Sequence, residues 1–429
     1  MSQKMKILAF SAAVILLLAL LLGLQALRGE NELAVFVTGG AEGYLLPCGC
    51  RTSPAGGLSR RVTLIDDARR ENPGRRVVPV ELSPLFMDRG PAKDVINTAF
   101  GDFLKSENYL VSAGPRDLEL GNKLKEYYKG EYHLAGMAGY RDDVVVELGG
   151  YRYLPFGKKG KLRLLFISET ALLGKKLDDP LEVFRKKVRE APQDTYIVLG
   201  NLSTMKIQEM VKEKADLLAI VSVWGHMVTT LPQKADDTWV VFLGDRGRRY
   251  ALLEIGYFDG RWEIWPKCEY IHRSLEGDAK VEERVRETMK KAEEINLSEL
   301  EKSVVKPAGP SFNGSDHCGG CHAKEYDIWK KTGHGSALAT LEIDHQQNNT
   351  ECLPCHVTGF RGGGYPAMKE SLSGVGCESC HGPGEGHPPE RHAPAEEAAG
   401  ACLKCHTKRD SPNFDREMYM KMIDHWSRN

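Results

Sequence analysis

The chain has 429 residues, with 58 Lys and Arg against 59 Asp and Glu, 13 His and 11 Cys. A formal net charge of −1 and the lack of any block of basic residues give no electrostatic basis for binding nucleic acid. The length suffices for two domains and an anchor, and most of the cysteines lie after residue 317. We therefore expect the cysteine chemistry in the C-terminal part.

The first 32 residues contain a run typical of a membrane segment. Lys4 and Lys6 precede this apolar run, which covers residues 7–27. At 1.5 Å per residue a helix over the run is about 31 Å long, close to the hydrocarbon thickness of a bilayer. Basic residues before it predict that the rest of the chain lies on the periplasmic face of the cytoplasmic membrane. We expect residues 1–32 to be an uncleaved anchor, with a cleaved signal as the alternative.

Residues 33–275 alternate between segments typical of strands and segments typical of helices. Runs rich in β-branched and apolar residues cover residues 33–38, 162–168, 195–199, 217–223, 239–243 and 250–257. Helical patterns cover residues 180–190 and 205–214. This alternation predicts a layered α/β domain.

A Cys-Gly-Cys segment, Cys48 to Cys50, stands apart from the other cysteines. One interpretation is a structural pair, buried or disulfide-linked, with one thiol bridging to Cys268. The alternative is a redox or metal-binding pair, because a disulfide between such close cysteines closes a small strained ring that is easily reduced. Both interpretations stay open.

Residues 276–314 are expected to connect two domains. Val281, Val285, Met289 and Ala292 recur at spacings of four and three residues within a highly charged stretch, which predicts an amphipathic helix. Two prolines and a glycine in residues 306–310 then end any helix. A second domain is therefore expected over residues 315–429.

This second domain contains the pentapeptide Cys-x-x-Cys-His four times. The copies are Cys318-Gly-Gly-Cys321-His322, Cys352-Leu-Pro-Cys355-His356, Cys377-Glu-Ser-Cys380-His381 and Cys402-Leu-Lys-Cys405-His406. Two thiols at this spacing can add to the vinyl groups of one porphyrin, and the adjacent imidazole can then bind the iron as proximal ligand. A zinc ribbon or a thioredoxin-like pair does not require His after the second Cys in every copy. We expect four c-type haems.

Four haems on so short a stretch leave little chain for a conventional apolar core. We therefore expect a mostly α-helical domain in which the porphyrins themselves form the core, and which unfolds without them. The second axial ligands must come from outside the motifs. The histidines available for this role are His317, His334, His345, His387, His392 and His425.

Several residues beside the motifs complete a recognisable pattern. They are Tyr326, Trp329 and Thr332-Gly-His334 after the first motif, Val357 to Phe360 after the second, Gly382 to Gly384 and His387 after the third, and Phe414, Tyr419 and His425 after the fourth. By this pattern residues 315–425 resemble the cytochrome c-554/c-552 type of multihaem cytochrome. The resemblance implies that His334, His387 and His425 are distal ligands. His345, His392 or His317 would fill the fourth position; otherwise one iron is five-coordinate.

A second resemblance concerns residues 33–275. Residues 37–45, 56–61, 113–117 and 224–228 resemble the 5′-nucleotidase and calcineurin-like metallophosphoesterase fold, in which two metal ions activate water. The resemblance implies that most metal-ligand positions hold other residue types: Gly40, Glu42, Ser83 or Pro84, Pro115, Arg116, Asn201 and Val228, with His226 retained. We expect a pseudoenzyme, because loss of this many ligands removes the two-metal site.

Together these observations predict an electron carrier and not an enzyme. Its partners would be other redox proteins, namely cytochromes or quinol-linked membrane complexes. One alternative is a reductase that acts on a small nitrogen or sulfur oxyanion at a five-coordinate haem. Another is an active metallophosphoesterase or 5′-nucleotidase that carries a redox domain.

Overall fold

A computed structural model describes residues 32–48, 55–135, 137, 140–146, 161–169, 178–225, 227–244, 246–258, 261–303, 311–343, 346–360, 365, 370–387, 399–407, 411 and 414–425. The chain forms two compact units. The N-terminal unit comprises Met1–Cys48, Ser53–Asp88 and Asn97–Val285, and the C-terminal unit comprises Gly49–Thr52, Arg89–Ile96 and Arg286–Asn429.

The described strands all belong to the N-terminal unit. In chain order they are β1 (Glu32–Gly39), β2 (Pro47–Cys48), β3 (Ala55–Gly56), β4 (Arg76–Leu82), β5 (Leu110–Ser112), β6 (Tyr132–His133), β7 (Asp143–Val146), β8 (Leu162–Ser168), β9 (Thr195–Asn201), β10 (Asp216–Ser222), β11 (Gln233–Ala235), β12 (Thr238–Phe242), β13 (Arg249–Phe258) and β14 (Arg261–Tyr270). Each predicted strand falls on one of them.

Two six-stranded sheets dominate this unit. The first has the order β14-β13-β1-β4-β5-β6, and its strands from β1 to β6 are parallel, while β13 and β14 are antiparallel. The second has the order β11-β12-β10-β9-β8-β7, with β8, β9, β10 and β12 parallel. Parallel strands need covered faces, which explains their nearly continuous apolar sequences.

Within the described ranges, six helices accompany the sheets. They are α1 (Leu58–Glu71), α2 (Lys93–Ser106), α3 (Pro115–Leu118), α4 (Lys123–Tyr127), α5 (Pro180–Glu190) and α6 (Thr204–Met210). Helix α5 has the predicted bounds because Asp179 caps it, accepting from the Leu181 amide at 2.9 Å. Helix α6 ends earlier than predicted, where the Glu213 amide donates to the Met210 carbonyl and turns the chain towards β10.

Apolar side chains from both sheets pack together between them. Val35, Val80, Phe166, Leu199 and Val221 are among the residues with essentially no exposed surface there. A second apolar cluster lies where β8, β9 and β10 meet α5 and α6. Burial of each such side chain contributes about 1.5–3 kcal/mol, so these layers account for the fold of the unit. The layered α/β prediction for this part is confirmed.

One ion pair lies inside the N-terminal unit. Arg61 of α1 and Glu81 of β4 are fully buried and 2.9 Å apart, and the Thr38 hydroxyl donates to the same carboxylate at 2.5 Å. Burial raises the pKa of Glu81, against the opposing effect of Arg61. Buried charges of this kind are stable only as a pair.

The C-terminal unit is built from short helices. Apart from the longer α7 (Ala279–Ser303), whose residues after Val285 belong to this unit, they are α8 (Ser315–Gly319), α9 (Ala323–Trp329), α10 (Ala337–Ile343), α11 (Leu353–His356), α12 (Cys377–His381), a 3₁₀ helix (Ala399–Lys404) and α13 (Arg416–Ile423). Helix α7 is the amphipathic helix expected before residue 300, with Val281, Val285 and Ala292 buried. Residues 304–310, the expected helix-ending segment, lie outside the described residues.

A small apolar cluster is present in the C-terminal unit. It contains Leu300, Leu338, Leu341, Leu353, Val357, Tyr365 and Leu372. The expectation that this domain has no conventional core was therefore too strong. The segment between the second and third motifs returns to pack against α10 and α11, which the motif spacing did not reveal.

No helix among the described residues is long and apolar enough to cross a membrane. The predicted anchor, residues 7–27, lies outside the described residues, as do Cys50, His226, His345, His392 and the side chain of Cys48. The anchor therefore stays a prediction.

Candidate functional site

Six histidines of the C-terminal unit form three facing pairs. The ring centroids are 6.3 Å apart for His322 and His387, 6.2 Å for His334 and His406, and 6.1 Å for His381 and His425. Each pair joins one motif histidine to one histidine from outside the motifs. Two imidazoles on opposite sides of one iron, with metal–nitrogen bonds of about 2 Å, place their centroids roughly 6 Å apart. The separations thus match bis-histidine ligation.

Single helical turns hold the motif thiols and imidazoles together. The His322 amide donates to the Cys318 carbonyl at 2.9 Å, and the His406 amide donates to the Cys402 carbonyl at 2.8 Å. Positions i, i+3 and i+4 lie on one side of such a turn, so both cysteines and the histidine of a motif can face the same ligand. The second and third motifs lie in α11 and α12 in the same way.

Thiols of different motifs also lie close together. Cys318 of the first motif hydrogen-bonds to Cys377 of the third, and Cys355 of the second hydrogen-bonds to Cys405 of the fourth. Cys380 of the third motif lies close enough to Cys402 of the fourth for an electrostatic interaction. These contacts connect the attachment sites in the order first, third, fourth, second.

Backbone carbonyls determine which nitrogen of two imidazoles carries the proton. His356 Nδ1 is 2.8 Å from the Ala337 carbonyl oxygen, and His425 Nδ1 is 2.9 Å from the Ile423 carbonyl oxygen. A carbonyl can only accept, so Nδ1 donates in both residues and Nε2 keeps its lone pair for a metal. His406 Nδ1 is 2.9 Å from the Ser411 hydroxyl.

Burial favours the neutral, metal-binding form of one histidine pair. It lowers the pKa of His334, helped by His406, and it lowers the pKa of His406 itself. Phe414 stacks on the His406 ring at 4.5 Å and restricts its orientation. The donors present therefore fit c-type haem.

No imidazole within the described part of the chain faces His356. His317 lies on α8, where its side chain is exposed. The other two histidines considered for the fourth distal position, His345 and His392, lie outside the described residues. Among the described residues, an imidazole thus lies opposite the histidine of the first, third and fourth motifs, but none lies opposite His356 of the second.

Glu378 is a structural residue of the site that the motif pattern did not reveal. Its buried carboxylate accepts from the amides of Asn313 at 2.9 Å, Gly314 at 2.8 Å and Gly384 at 2.6 Å. It thereby connects the segment before the first motif to the segment that leads to His387. Its position inside the third motif, read only as a spacer, is the signal that could have found it.

The metal-ligand positions implied by the phosphoesterase resemblance lie at strand ends of the N-terminal unit. Arg116 and Glu42 form an ion pair there at 2.6 Å, and Asp88 is 3.7 Å from the same guanidinium. Partial burial opposes the effect, but Glu42 and Asp88 raise the pKa of Arg116. A permanent cation of the chain therefore lies among the acidic groups.

The neighbouring polar groups are also engaged with one another. The Asn201 amide nitrogen donates to the carbonyls of Ser83 at 2.8 Å and Val223 at 2.9 Å. The Ser83 hydroxyl donates to the buried carboxylate of Asp117, which also accepts from the Leu85 amide at 2.8 Å. Within the ranges that the structure describes, no group of three or more His, Cys, Asp or Glu could hold a metal ion. The described residues there therefore do not fit a two-metal site.

Cys268 and His133 are packing residues of the N-terminal unit. Cys268 is a buried free thiol whose sulfur lies 3.5 Å from the Thr229 carbonyl, so the suggested bridge from the Cys-Gly-Cys segment to Cys268 is not made. His133 is buried and stacks on Phe166 with ring centroids 4.7 Å apart. Burial lowers the pKa of His133 to about 4, aided by Arg141.

Residues 317–382 match the family model described as cytochrome c554 and c-prime. Over 95 residues the chain is 38% identical to the cytochrome c-554 of Nitrosomonas europaea, which covers 18% of this chain and 40% of that protein. The C-terminal part is thus related to the multihaem c-type cytochromes of the c-554 type. The chain spans less than half the length of that relative.

Solved structures that superpose on this chain belong to a different class of protein. A 5′-nucleotidase precursor of Thermus thermophilus superposes with a TM-score of 0.50 at 17% identity, covering 64% of this chain and 61% of that one. The NAD nucleotidase of Haemophilus influenzae gives 0.50 at 12% identity, with coverages of 66% and 64%. A sulfate thiohydrolase, SoxB, of Thermus thermophilus gives 0.50 at 11% identity, with coverages of 65% and 62%. The N-terminal domain has a metallophosphoesterase-like fold.

Proposed function

We propose that the chain is an electron-transfer cytochrome that passes electrons through four covalently bound haems. When bound, haem supplies one-electron redox chemistry. The eight motif cysteines would attach it, and His322, His356, His381 and His406 would be the proximal ligands. The observation that carries the proposal is the set of three facing imidazole pairs, each 6.1 to 6.3 Å between ring centroids.

His387, His334 and His425 would be the distal ligands of the first, fourth and third motifs, respectively. Two imidazoles on one iron leave no position for a substrate, and they favour a lower potential than His/Met ligation. The thiol contacts between motifs support close spacing of the attachment sites. Close spacing is what a carrier needs for electrons to enter at one end and leave at the other.

We assign the protein to the periplasmic face of the cytoplasmic membrane. Covalent haem attachment and the charge pattern around residues 7–27 both support this side, and the apolar run would anchor the chain. Other cytochromes or quinol-linked membrane complexes would exchange electrons with it. The N-terminal unit, whose residues do not fit a two-metal site, would serve docking or support as a pseudoenzyme.

A reductase remains the second candidate, and one observation favours it. His356 has no facing imidazole among the described residues, so a small nitrogen or sulfur oxyanion could bind at the second motif. If His345, His392 or His317 binds there, this site is closed and the carrier stands. The Cys48 and Cys50 pair remains a redox or disulfide candidate that no described contact supports.

Electron paramagnetic resonance of the air-oxidised, haem-loaded chain separates carrier from reductase. We expect low-spin signals that nitrite and hydroxylamine leave unchanged. A high-spin signal that shifts with either compound would replace the carrier by the reductase. If all signals are low-spin, His345→Ala and His392→Ala variants identify the fourth distal ligand, because loss of the true ligand turns one signal high-spin.

A third candidate, an active phosphoesterase, is tested on the same haem-loaded chain. We expect no hydrolysis of nucleotides or phosphodiesters above the rate in buffer, with or without added Mn²⁺. Metal-dependent hydrolysis that survives removal of trace contaminants would overturn the pseudoenzyme assignment. The carrier proposal would stand in that case, because it rests on the other unit.

A further inference from the structure

Two oxygen atoms lie beside Nδ1 of His356. The Ala337 carbonyl oxygen is 2.8 Å away and the Thr340 hydroxyl oxygen is 3.3 Å away. Both residues belong to α10, and the Thr340 hydroxyl itself lies 2.6 Å from the Ala337 carbonyl. The imidazole, the hydroxyl and the carbonyl therefore form a closed triangle.

The chemistry of the three groups determines where the protons lie. The carbonyl accepts only, so the Thr340 hydroxyl must donate its single proton to Ala337, and His356 donates its Nδ1 proton to the same atom. The lone pairs of the Thr340 oxygen then face the imidazole N–H. The Nδ1–H of His356 consequently donates mainly to the Ala337 carbonyl and more weakly to the Thr340 hydroxyl oxygen.

Two other histidines of the C-terminal unit with a hydrogen bond at Nδ1 are arranged differently. His425 donates to the Ile423 carbonyl at 2.9 Å, and His406 lies 2.9 Å from the Ser411 hydroxyl. In neither case does the structure describe a hydroxyl and a carbonyl bonded to each other beside the same nitrogen. The arrangement at the second motif is therefore a local feature and not a property of every motif.

We propose that Thr340 is a positioning residue that tunes the redox potential of the haem at the second motif, an inference that rests on the proposed role of His356 as iron ligand. Acceptors at the outer nitrogen of a metal-bound histidine hold its ring and raise its basicity. A more basic axial ligand favours the oxidised metal, so the Thr340 hydroxyl lowers this potential relative to a site that has the carbonyl alone.

A purely structural explanation of the hydroxyl has to be separated from this one. Threonines in helices often bond to the carbonyl three residues back, without any further role. Thr332, in the turn that follows α9, also donates to the carbonyl three residues back, that of Trp329, at 2.7 Å, and no histidine partner of its hydroxyl is described. Thr332 is therefore a matched control for the loss of such a bond alone.

The test is a spectroelectrochemical titration of the haem-loaded full chain and of three variants. Thr340→Val removes the hydroxyl and keeps the shape of the side chain. We expect one of the four midpoint potentials to rise and the other three to stay unchanged. Thr340→Ser, which keeps the hydroxyl, should restore the wild-type value, and Thr332→Val should shift none.

The outcomes separate this inference from the proposed function. Four unchanged potentials in Thr340→Val, a downward shift, or a shift of several haems at once would each overturn the role of Thr340. The same holds if Thr340→Ser behaves like Thr340→Val. Failure of the wild-type chain to show four c-type haems by mass and by redox titration would instead overturn the proposed function.

Discussion

The two units differ in what fills their interiors. In the N-terminal unit, apolar side chains from two sheets meet face to face, and the fully buried charges of Arg61 and Glu81 are paired with each other. The C-terminal unit contains a small apolar cluster and pairs of imidazole rings whose centroids are about 6 Å apart. The side chains of the N-terminal unit fill its interior without any cofactor. In the C-terminal unit the imidazole pairs are spaced as if an iron were bound between the two rings. Stability should accordingly depend on different things in the two units.

The largest expected effect is loss of one unit when haem is withheld. In chain produced without haem attachment, we expect protease to digest residues after 311 and to spare the N-terminal unit, because the small apolar cluster cannot replace the porphyrins. Limited proteolysis with mass spectrometry of the fragments measures this, and haem-loaded chain is the control. If protease spared both units equally in the haem-free chain, the proposed dependence of the C-terminal unit on haem would be wrong.

The next effect concerns the buried ion pair. Glu81→Gln leaves the Arg61 guanidinium buried without a counter-charge, which should lower the free energy of unfolding of the N-terminal unit by about 3–5 kcal/mol. Chemical denaturation followed by tryptophan fluorescence measures it. The control is Asp66→Asn at the exposed pair with Arg69, where we expect a change below about 1 kcal/mol. Similar losses in both variants would contradict the importance of burial.

A smaller effect is the pH dependence that His133 contributes. Its pKa of about 4 in the folded chain is below that of an unfolded histidine, so the unfolded state binds the proton first as pH falls. Stability present above pH 6.5 is therefore lost as pH falls towards 4. From pH 7 to 5 we expect wild type to lose about 1–2 kcal/mol more than His133→Phe. His272→Asn, at an exposed histidine, should lose as much stability between pH 7 and 5 as wild type does. An equal loss in His133→Phe would refute the contribution of His133 to the pH dependence.

The smallest expected effect is that of divalent cations. Because the Arg116 guanidinium already lies against Glu42 and Asp88, Mn²⁺ or Zn²⁺ should not raise the melting temperature of the N-terminal unit. Thermal denaturation with metal and with chelator measures this, followed by the circular dichroism of the sheets. A saturable rise on adding metal would show that the donors do form a site.

Hydrophobic periodicity predicted the strands and helices whose sequence patterns are local and strong. The long apolar runs of β8, β9 and β10 and the capped helix α5 were predicted closely, because each is a local pattern. Strand β4 was not predicted, although it lies in the middle of the first sheet between β1 and β5. Pro79 within it argues against a central strand, and only its position beside β1 in the folded unit overrides that signal.

The candidate site was predictable to a different degree in each unit. The motifs gave the thiols and the proximal imidazoles, and the family resemblance singled out His334, His387 and His425, which the structure brings opposite motif histidines. Spacing alone could not choose among the available histidines, because pairing across the unit depends on the path of the chain. The ion pair of Arg116 with Glu42 could not be predicted from the sequence either, since the two residues lie far apart in it.

The order in which thiols connect the four motifs has a consequence for deletions. The last motif in the sequence has thiol contacts with both the third and the second motifs. A stop codon just before Cys402 would therefore not shorten the series of attachment sites at one end. It would remove the motif whose thiols contact both the third and the second motifs. The contact between the Thr358 and Ser379 hydroxyls at 3.1 Å would still join the segment after the second motif to the third. Loss of the fourth motif thus removes two of the three thiol contacts described between motifs, and not merely the last attachment site.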